Sequence, residues 1–219
     1  MAEGEWKIPT IRILIADDHD VVRSGLRKVL ETQANWQVVA EARDGKEAVT
    51  KALQTNPDVA ILDYSLPLVN GVEATRQIRA RLPKTEVLIF TMYDTDNLIG
   101  DLLAAGARGY LLKSEANSLL LAAVECLAVH KPYFTAKVSE ALLESFLAKP
   151  GQPQFSLTPR ERGVVQLIAE GHSNKQTAKV LNISLKTVES HRASVMRKLN
   201  MSSSASLVRY AIRNKIIEP

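Results

Sequence analysis

Five short apolar runs punctuate the first half of the chain: RILIA (12–16), QVVAEA (37–42), VAILD (59–63), EVLIFT (86–91) and GYLLK (109–113). None alternates strictly between apolar and polar residues, which is the pattern of strands buried on both faces of a parallel sheet. The segments between them carry apolar residues at helical spacing, as with Val22, Leu26, Val29 and Leu30 in the first. Five strands alternating with five helices predict a doubly wound α/β domain with a five-stranded parallel sheet. Its functional crevice is expected beyond the carboxyl ends of the strands.

The alternation stops at AKPGQPQFS (148–156), where two prolines and a glycine mark a linker. Beyond it the pattern is helical throughout. Thr158, Pro159 and Glu161 spell a helix start, and Gly171 a helix end. NKQTAKVLN, SLKTVESHRASVMRKLN and SASLVRYAIRNKII supply three further helices, predicting a second, all-α domain of four helices.

Charge separates the two halves. From Gln154 onward eleven Lys and Arg face four Asp and Glu, a net of +7, which leaves −3 for the first 153 residues of a chain whose total is +4. A basic second half points to a polyanionic partner. No apolar run approaches the roughly 18 residues of a membrane span, and the first ten residues do not resemble a signal peptide. The single Cys126 cannot form an internal disulfide. A cytoplasmic, reducing location without membrane contact is expected.

Asp17 and Asp18 close the first strand, Asp63 the third, Thr91 the fourth and Lys113 the fifth. In a parallel sheet these side chains converge on one edge. A strand-end Asp taken alone is usually a turn or N-cap residue, and Asp44 is read that way, as His19 and Asp20 are read as bystanders. Three carboxylates, a hydroxyl and an ammonium gathered at one edge make a small hard-oxygen site that suits Mg²⁺ (or Mn²⁺).

Asp17-Asp18, Asp63, Thr91, Tyr110 and Lys113, in this order and spacing, resemble the receiver domain of bacterial two-component response regulators. The resemblance implies that Asp63 accepts a phosphoryl group from a sensor histidine kinase. It implies Mg²⁺ held by Asp18, Asp63 and the backbone carbonyl of Ser65, with Asp17 acting partly through water. Lys113 and Thr91 would contact phosphoryl oxygens, and Tyr110 would be a switch aromatic responding to Thr91. Pro67 and Gly71 match the loop after the phosphoacceptor. Ser114 follows the lysine where many receivers have proline.

In the second domain, Ala178, the turn Asn182-Ile183-Ser184 and the segment KTVESHR form a helix-turn-helix pattern, with Leu167, Ile168, Leu181, Ile183 and Val188 beneath. The stretch from 155 to 216 resembles a LuxR-type domain. Joined to the receiver, it is similar to the NarL/FixJ family of response regulators. Candidate phosphate contacts are Lys175, Lys186, Thr187, His191, Arg192, Arg197 and Lys198, while Glu189, Ser190 and Ala193 sit where base edges are in reach. Many relatives carry Lys where Glu189 stands; a carboxylate there accepts a hydrogen bond from a cytosine amino group. By the resemblance, Leu207, Val208, Tyr210 and Ala211 on the last helix pair with a second copy; packing within the domain would need much the same residues.

The expected organisation is a receiver (10–130), a connecting helix and linker (131–154) and a DNA-binding domain (155–219). The expected function is a phosphorylation-switched transcription regulator, partnered by a histidine kinase and double-stranded promoter DNA and homodimeric when phosphorylated. It is not an enzyme beyond its own phosphorylation and slow autodephosphorylation. Before phosphorylation the receiver is expected to cover the recognition helix or to prevent dimerisation. A DNA-binding protein that uses its receiver only as an interaction module is the alternative. A metal-dependent phosphohydrolase is disfavoured by Ser65, which stands where such enzymes usually place a second acid.

Overall fold

Along β1 (Ile11–Ala16), Ile13 and Ile15 pack into one hydrophobic cluster and Leu14 and Ala16 into another. The same division by alternate residues recurs in β3 (Val59–Leu62), β4 (Glu86–Thr91) and β5 (Gly109–Leu112), so each strand feeds a core on both faces of the sheet. One face is covered by α1 (Asp20–Leu30) and α5 (Asn117–Ala128), through Leu26, Leu30, Leu120, Val124 and Leu127. The other carries α2 (Gly45–Thr55), α3 (Gly71–Arg81) and α4 (Asp96–Ala105). With β2 (Trp36–Ala42) the five expected strands are all present, within one residue of the bounds read from the sequence.

The computed structural model describes residues 10–92, 96–115, 117–136, 138–140, 157–214 and 216–217. Its sheet is fully parallel and has six strands in the order β2-β1-β3-β4-β5-β6. The added strand, β6 (Tyr133–Phe134), pairs with Gly109 and Tyr110 of β5. Two residues carry no periodicity, so this strand could not be read from the sequence. Most of the linker, including 148–156, lies outside the described residues.

Two glycines let the helices crowd the end of β3. A Cβ on Gly45 would stand 1.7 Å from the Val69 carbonyl oxygen, and one on Gly71 would stand 2.4 Å from that of Asp63. Only glycine allows backbones this close. Asp44 and Asn70 cap the two helices by accepting from the Glu47 and Glu73 amides, Asp44 thus serving as the turn residue it was expected to be.

The second domain has the four expected helices: α6 (Pro159–Ala169), α7 (Asn174–Leu181), α8 (Leu185–Lys198) and α9 (Ser204–Arg213). Thr158 and Glu161 form a reciprocal capping box, as do Ser173 and Gln176. Asn182 adopts the left-handed conformation (φ 53°) that closes α7, and Ser184 caps α8 at once. Val164, Val165, Ile168, Ala178, Val188 and Val195 lie in one core. Among the described residues, no helix is long and apolar enough to cross a membrane.

Candidate functional site

The β1–β2 and β1–β3 ladders each continue one residue further: the Asp17 amide donates to the Ala42 carbonyl of β2 and the Asp63 amide to the Ala16 carbonyl of β1. This fixes both carboxylates at the carboxyl edge of the sheet, where Asp17 is 1% and Asp63 3% exposed. Lys113, just after β5, reaches across to both. Its Nζ lies 2.6 Å from Asp17 Oδ2 and 2.8 Å from Asp63 Oδ2. Burial pushes the Asp63 carboxyl above its usual range, with Lys113 opposing and Asp17 adding to the rise. Burial pulls Lys113 down, but Asp63 and Asp17 together outweigh it and hold the ammonium above its ordinary value. Thr91, at the end of β4, and Tyr110, in β5, are both buried. The Lys113 amide donates to the Thr91 carbonyl, joining the two strand ends that carry the lysine and the hydroxyl.

His19 is drawn into the cluster. Its Nδ1 stands 2.9 Å from Asp18 Oδ1 and 3.2 Å from Asp17 Oδ1, and its amide donates to the latter. Asp18 is the main cause of a raised imidazole pKa. Asp20 pairs with Arg23, whose buried guanidinium also donates to the Asp17 carbonyl at 2.6 Å and lies 3.6 Å from Glu41. Arg23 had no sequence signal beyond its place three residues after Asp20.

Ligating atoms of Asp17, Asp18, His19 and Asp63 all lie within 4.8 Å of one another. The donors are mostly hard carboxylate oxygens, and the Ser65 amide donates to the Asp63 carboxylate, turning the following loop toward the site. Ser65 Oγ is buried without a hydrogen-bond partner among the described residues, an unsatisfied polar atom two positions from Asp63. This donor set fits a small hard divalent cation.

In the second domain, α7, the Asn182 turn and α8 form a helix-turn-helix, with Val188 fully buried, Ile183 half-buried and Ala178 where the helices meet. Lys186, Thr187, Glu189, Ser190, Ala193 and Arg197 are exposed along α8.

The description "Response regulator receiver domain" matches residues 13–125 and "Bacterial regulatory proteins, luxR family" matches 155–211. The chain belongs to the response regulator family. This response regulator is 39% identical over 217 residues to the oxygen regulatory protein NreC of Staphylococcus epidermidis, covering 95% of the chain and 100% of that protein. It is also similar to RcsB of Salmonella enterica serovar Typhimurium bound to promoter rprA in the presence of phosphomimetic BeF3⁻. That likeness has a TM-score of 0.66 at 29% identity and covers 92% of this chain and 98% of the other. A structure of two RcsB dimers bound to two parallel DNAs matches with a TM-score of 0.58 at 29% identity, covering 92% and 97%.

Several expected contact residues of this response regulator are otherwise engaged. Lys198 Nζ lies 2.7 Å from Glu161 Oε2, and Ser194 donates to the other Glu161 oxygen. Burial acts to raise Glu161, but donors from Lys198, Thr158 and Ser194 outweigh it and hold the carboxyl down to about 2. Arg192 bridges the first turns of α7 and α9, donating to Asn174 Oδ1 at 3.0 Å and Ser204 Oγ at 2.7 Å. Lys175 is exposed and His191 half-buried. On α9, Leu207 and Ala211 are fully buried in the domain's own core, so these two of the four expected dimer residues are packing residues. Val208 and Tyr210 are half-buried, and Ile212, which the sequence reading did not single out, is exposed.

Among the described residues, Lys186, Thr187, Glu189 and Ser190 of the recognition helix α8 are exposed, and the polar contacts between the two domains fall on α6. Charge is complementary there: Arg160 approaches Glu73 at 3.9 Å and Arg162 approaches Asp101 at 3.4 Å.

Proposed function

We propose that this chain is a phosphorylation-switched transcription regulator in which Asp63 takes a phosphoryl group from the phosphohistidine of a sensor kinase. The observation that carries this reading is Lys113 bridging Asp17 and Asp63 at the carboxyl edge of the sheet. An Asp63 carboxylate oxygen attacks phosphorus; the O–P bond forms as the P–N bond breaks, and the kinase imidazole leaves with that electron pair. Lys113 then pairs with a phosphoryl oxygen instead of sharing two carboxylates, and the Thr91 hydroxyl donates to another, with Tyr110 packing against the new Thr91 position. Asp18, Asp63 and the Ser65 carbonyl, with Asp17 behind them, are the groups that would hold Mg²⁺ (or Mn²⁺). When bound, the ion neutralises charge between the anionic nucleophile and the anionic phosphoryl group.

The output is binding of double-stranded promoter DNA by a phosphorylated homodimer in the cytoplasm. Lys186, Thr187 and Arg197 contact phosphates, and Glu189, Ser190 and Ala193 face base edges. The domain limits read from the sequence serve as the working division, with β6 assigned to the receiver. Incubation with Mg²⁺ and acetyl phosphate, read by intact mass, should give one lasting adduct that Asp63→Asn abolishes. The treated protein should also shift promoter DNA at lower concentration. Rapid turnover of the donor would indicate a phosphohydrolase, and absence of any adduct would leave the receiver as a passive interaction module.

A further inference from the structure

One buried cation of the receiver takes no part in the phosphoryl transfer. Arg23, in the first turns of α1, is 5% exposed, and its guanidinium serves three segments at once. Nη1 donates to the Asp17 carbonyl at 2.6 Å, Nη2 donates to the Asp20 carboxylate, and Nε lies 3.6 Å from Glu41 Oε2 on β2. Helical side chains lean toward the N-terminus, which carries the fork back over the first turn to the end of β1. Arg27, the next turn on, meets the other Glu41 oxygen at 2.6 Å and keeps that carboxylate in place. A buried charge has to be paired, and here the pairing fixes the direction in which Nη1 points.

That direction governs the peptide between Asp17 and Asp18. The other polar groups of Asp17 have partners of their own: the amide donates to Ala42, Oδ1 accepts from the His19 amide, and Oδ2 meets Lys113. Its carbonyl precedes the ladder of α1, which opens with the Arg23 amide donating to the His19 carbonyl. His19 stands at the N-cap, but among the described residues its side chain caps no amide of the helix. Arg23 fixes the entry turn instead. Asp18 shares the peptide that Arg23 holds. Its side chain is 35% exposed, and its ion-pair partner is His19 at 2.9 Å. A buried carbonyl left without a donor turns toward another donor or toward water. Rotation of this peptide moves Asp18 relative to Asp63, whereas Asp17 stays anchored through its carboxylate.

We propose that Arg23 is the positioning residue of the cation site: it holds the Asp17 carbonyl so that Asp18 stands where it can share a divalent ion with Asp63. This rests on the reading of Asp18 and Asp63 as groups that hold Mg²⁺. All three guanidinium nitrogens face protein oxygens, so Arg23 acts on the ion through the Asp17–Asp18 backbone. Two other roles make different demands. As a plain nearby charge, Arg23 would repel the cation, and its removal would tighten binding. As a packing residue, it would carry stability and leave affinity unchanged. Lysine is no substitute, because only a rigid planar fork reaches the end of β1 and the first turn of α1 together.

The test is Mn²⁺ binding to the full, unphosphorylated chain, read from the free-ion signal in electron paramagnetic resonance, with Mg²⁺ as competitor. Arg23→Gln and Arg23→Lys are compared with the unaltered chain, and circular-dichroism melts record the stability of each. Replacing a group that holds a metal ligand in place typically costs about 10–100-fold in affinity. Arg23→Gln should therefore weaken Mn²⁺ binding at least about ten-fold. Arg23→Lys keeps the charge and the stem but offers a point charge in place of the fork. It should also bind more weakly than the unaltered chain, and it carries the test should Arg23→Gln not fold. With acetyl phosphate as donor, the Mg²⁺ concentration giving half the maximal rate should rise in proportion, a larger shift than any in the rate at saturating Mg²⁺. Unchanged or tighter Mn²⁺ binding in both variants overturns the proposal, whatever their melting temperatures. No Mn²⁺ binding by the unaltered chain overturns the cation site itself, and the positioning role with it. An unaltered chain that binds Mn²⁺ but takes no phosphoryl group overturns Asp63 as phosphoacceptor and leaves the Mn²⁺ comparison to decide the role of Arg23.

Discussion

Replacing Lys113 with Ala removes the one cation among the described residues that touches both Asp17 and Asp63. Two buried carboxylates then face each other with oxygens within 4.8 Å. At an effective dielectric constant of about 20, unit charges at that separation repel by roughly 3 kcal/mol. Removing one partner of a buried ion cluster costs about 3–5 kcal/mol by experience elsewhere, so the receiver of Lys113→Ala should lose stability in that range at neutral pH without divalent cations. Trp36 sits in the receiver core at 7% exposure. Urea unfolding followed by its fluorescence, in a Trp6→Phe background, reports this domain directly. The deficit must also depend on pH with a fixed sign. Asp63 is already raised by burial, and without Lys113 it rises further. The folded variant therefore binds a proton at a pH where the unfolded chain does not, and stability is regained as pH falls toward that raised value. The loss relative to the parent should be widest at about pH 8 and narrower at about pH 5.5. Mg²⁺ at ten times its Kd should return about 1.4 kcal/mol through linkage. A loss under about 1 kcal/mol, unchanged between those pH values and blind to Mg²⁺, would refute the account of the cluster as carboxylates held by one lysine.

Three further outcomes follow from the geometry. The Glu161 carboxyl, held down to about 2, contributes about 2–3 kcal/mol to the DNA-binding domain that is fully present above about pH 4.5 and lost as pH falls toward 2; Glu161→Gln should flatten that acid limb in circular-dichroism melts. Lys186→Ala should lower the slope of log affinity for DNA against log salt by about 1. Lys198→Ala should leave the slope unchanged and lower the melting temperature, because its charge serves Glu161. Gly71→Ala would push a Cβ against the Asp63 carbonyl, so it should destabilise the receiver by about 1–3 kcal/mol in urea unfolding and slow Asp63 phosphorylation.

The receiver was legible because its strands are buried on both faces: RILIA and VAILD read as apolar runs, and the acids closing them could only converge at one edge. The second domain was legible through its caps, Thr158 with Glu161 and Ser184 after Asn182, which are local signals. What could not be read depends on partners distant in sequence. Lys198 looked like a DNA contact because its partner, Glu161, lies 37 positions away and its one local signal was a capping role. Leu207 and Ala211 look alike whether they face a second copy or α6. Arg162, Gln166 and Glu170 have the polarity of a solvent-facing helix surface, and only docking shows that they face a loop about 100 residues earlier, with Gln166 buried against it. His19 is the exception: its partners Asp17 and Asp18 are next to it in sequence, and the contact depends on the shape of the turn between β1 and α1.

The two-residue strand β6 bears on how the sheet ends. Without it, the open hydrogen-bonding groups of β5 would form a flat template able to accept a strand from another molecule. Tyr133 and Phe134 occupy that edge and are too short to offer a long one in turn. A receiver fragment cut at residue 130, where the sequence alone would place the boundary, leaves the β5 edge bare. It should self-associate at concentrations where a fragment ending at 136 stays monomeric. The stub is edge protection, and it places Tyr110 and Lys113 on or beside an interior strand.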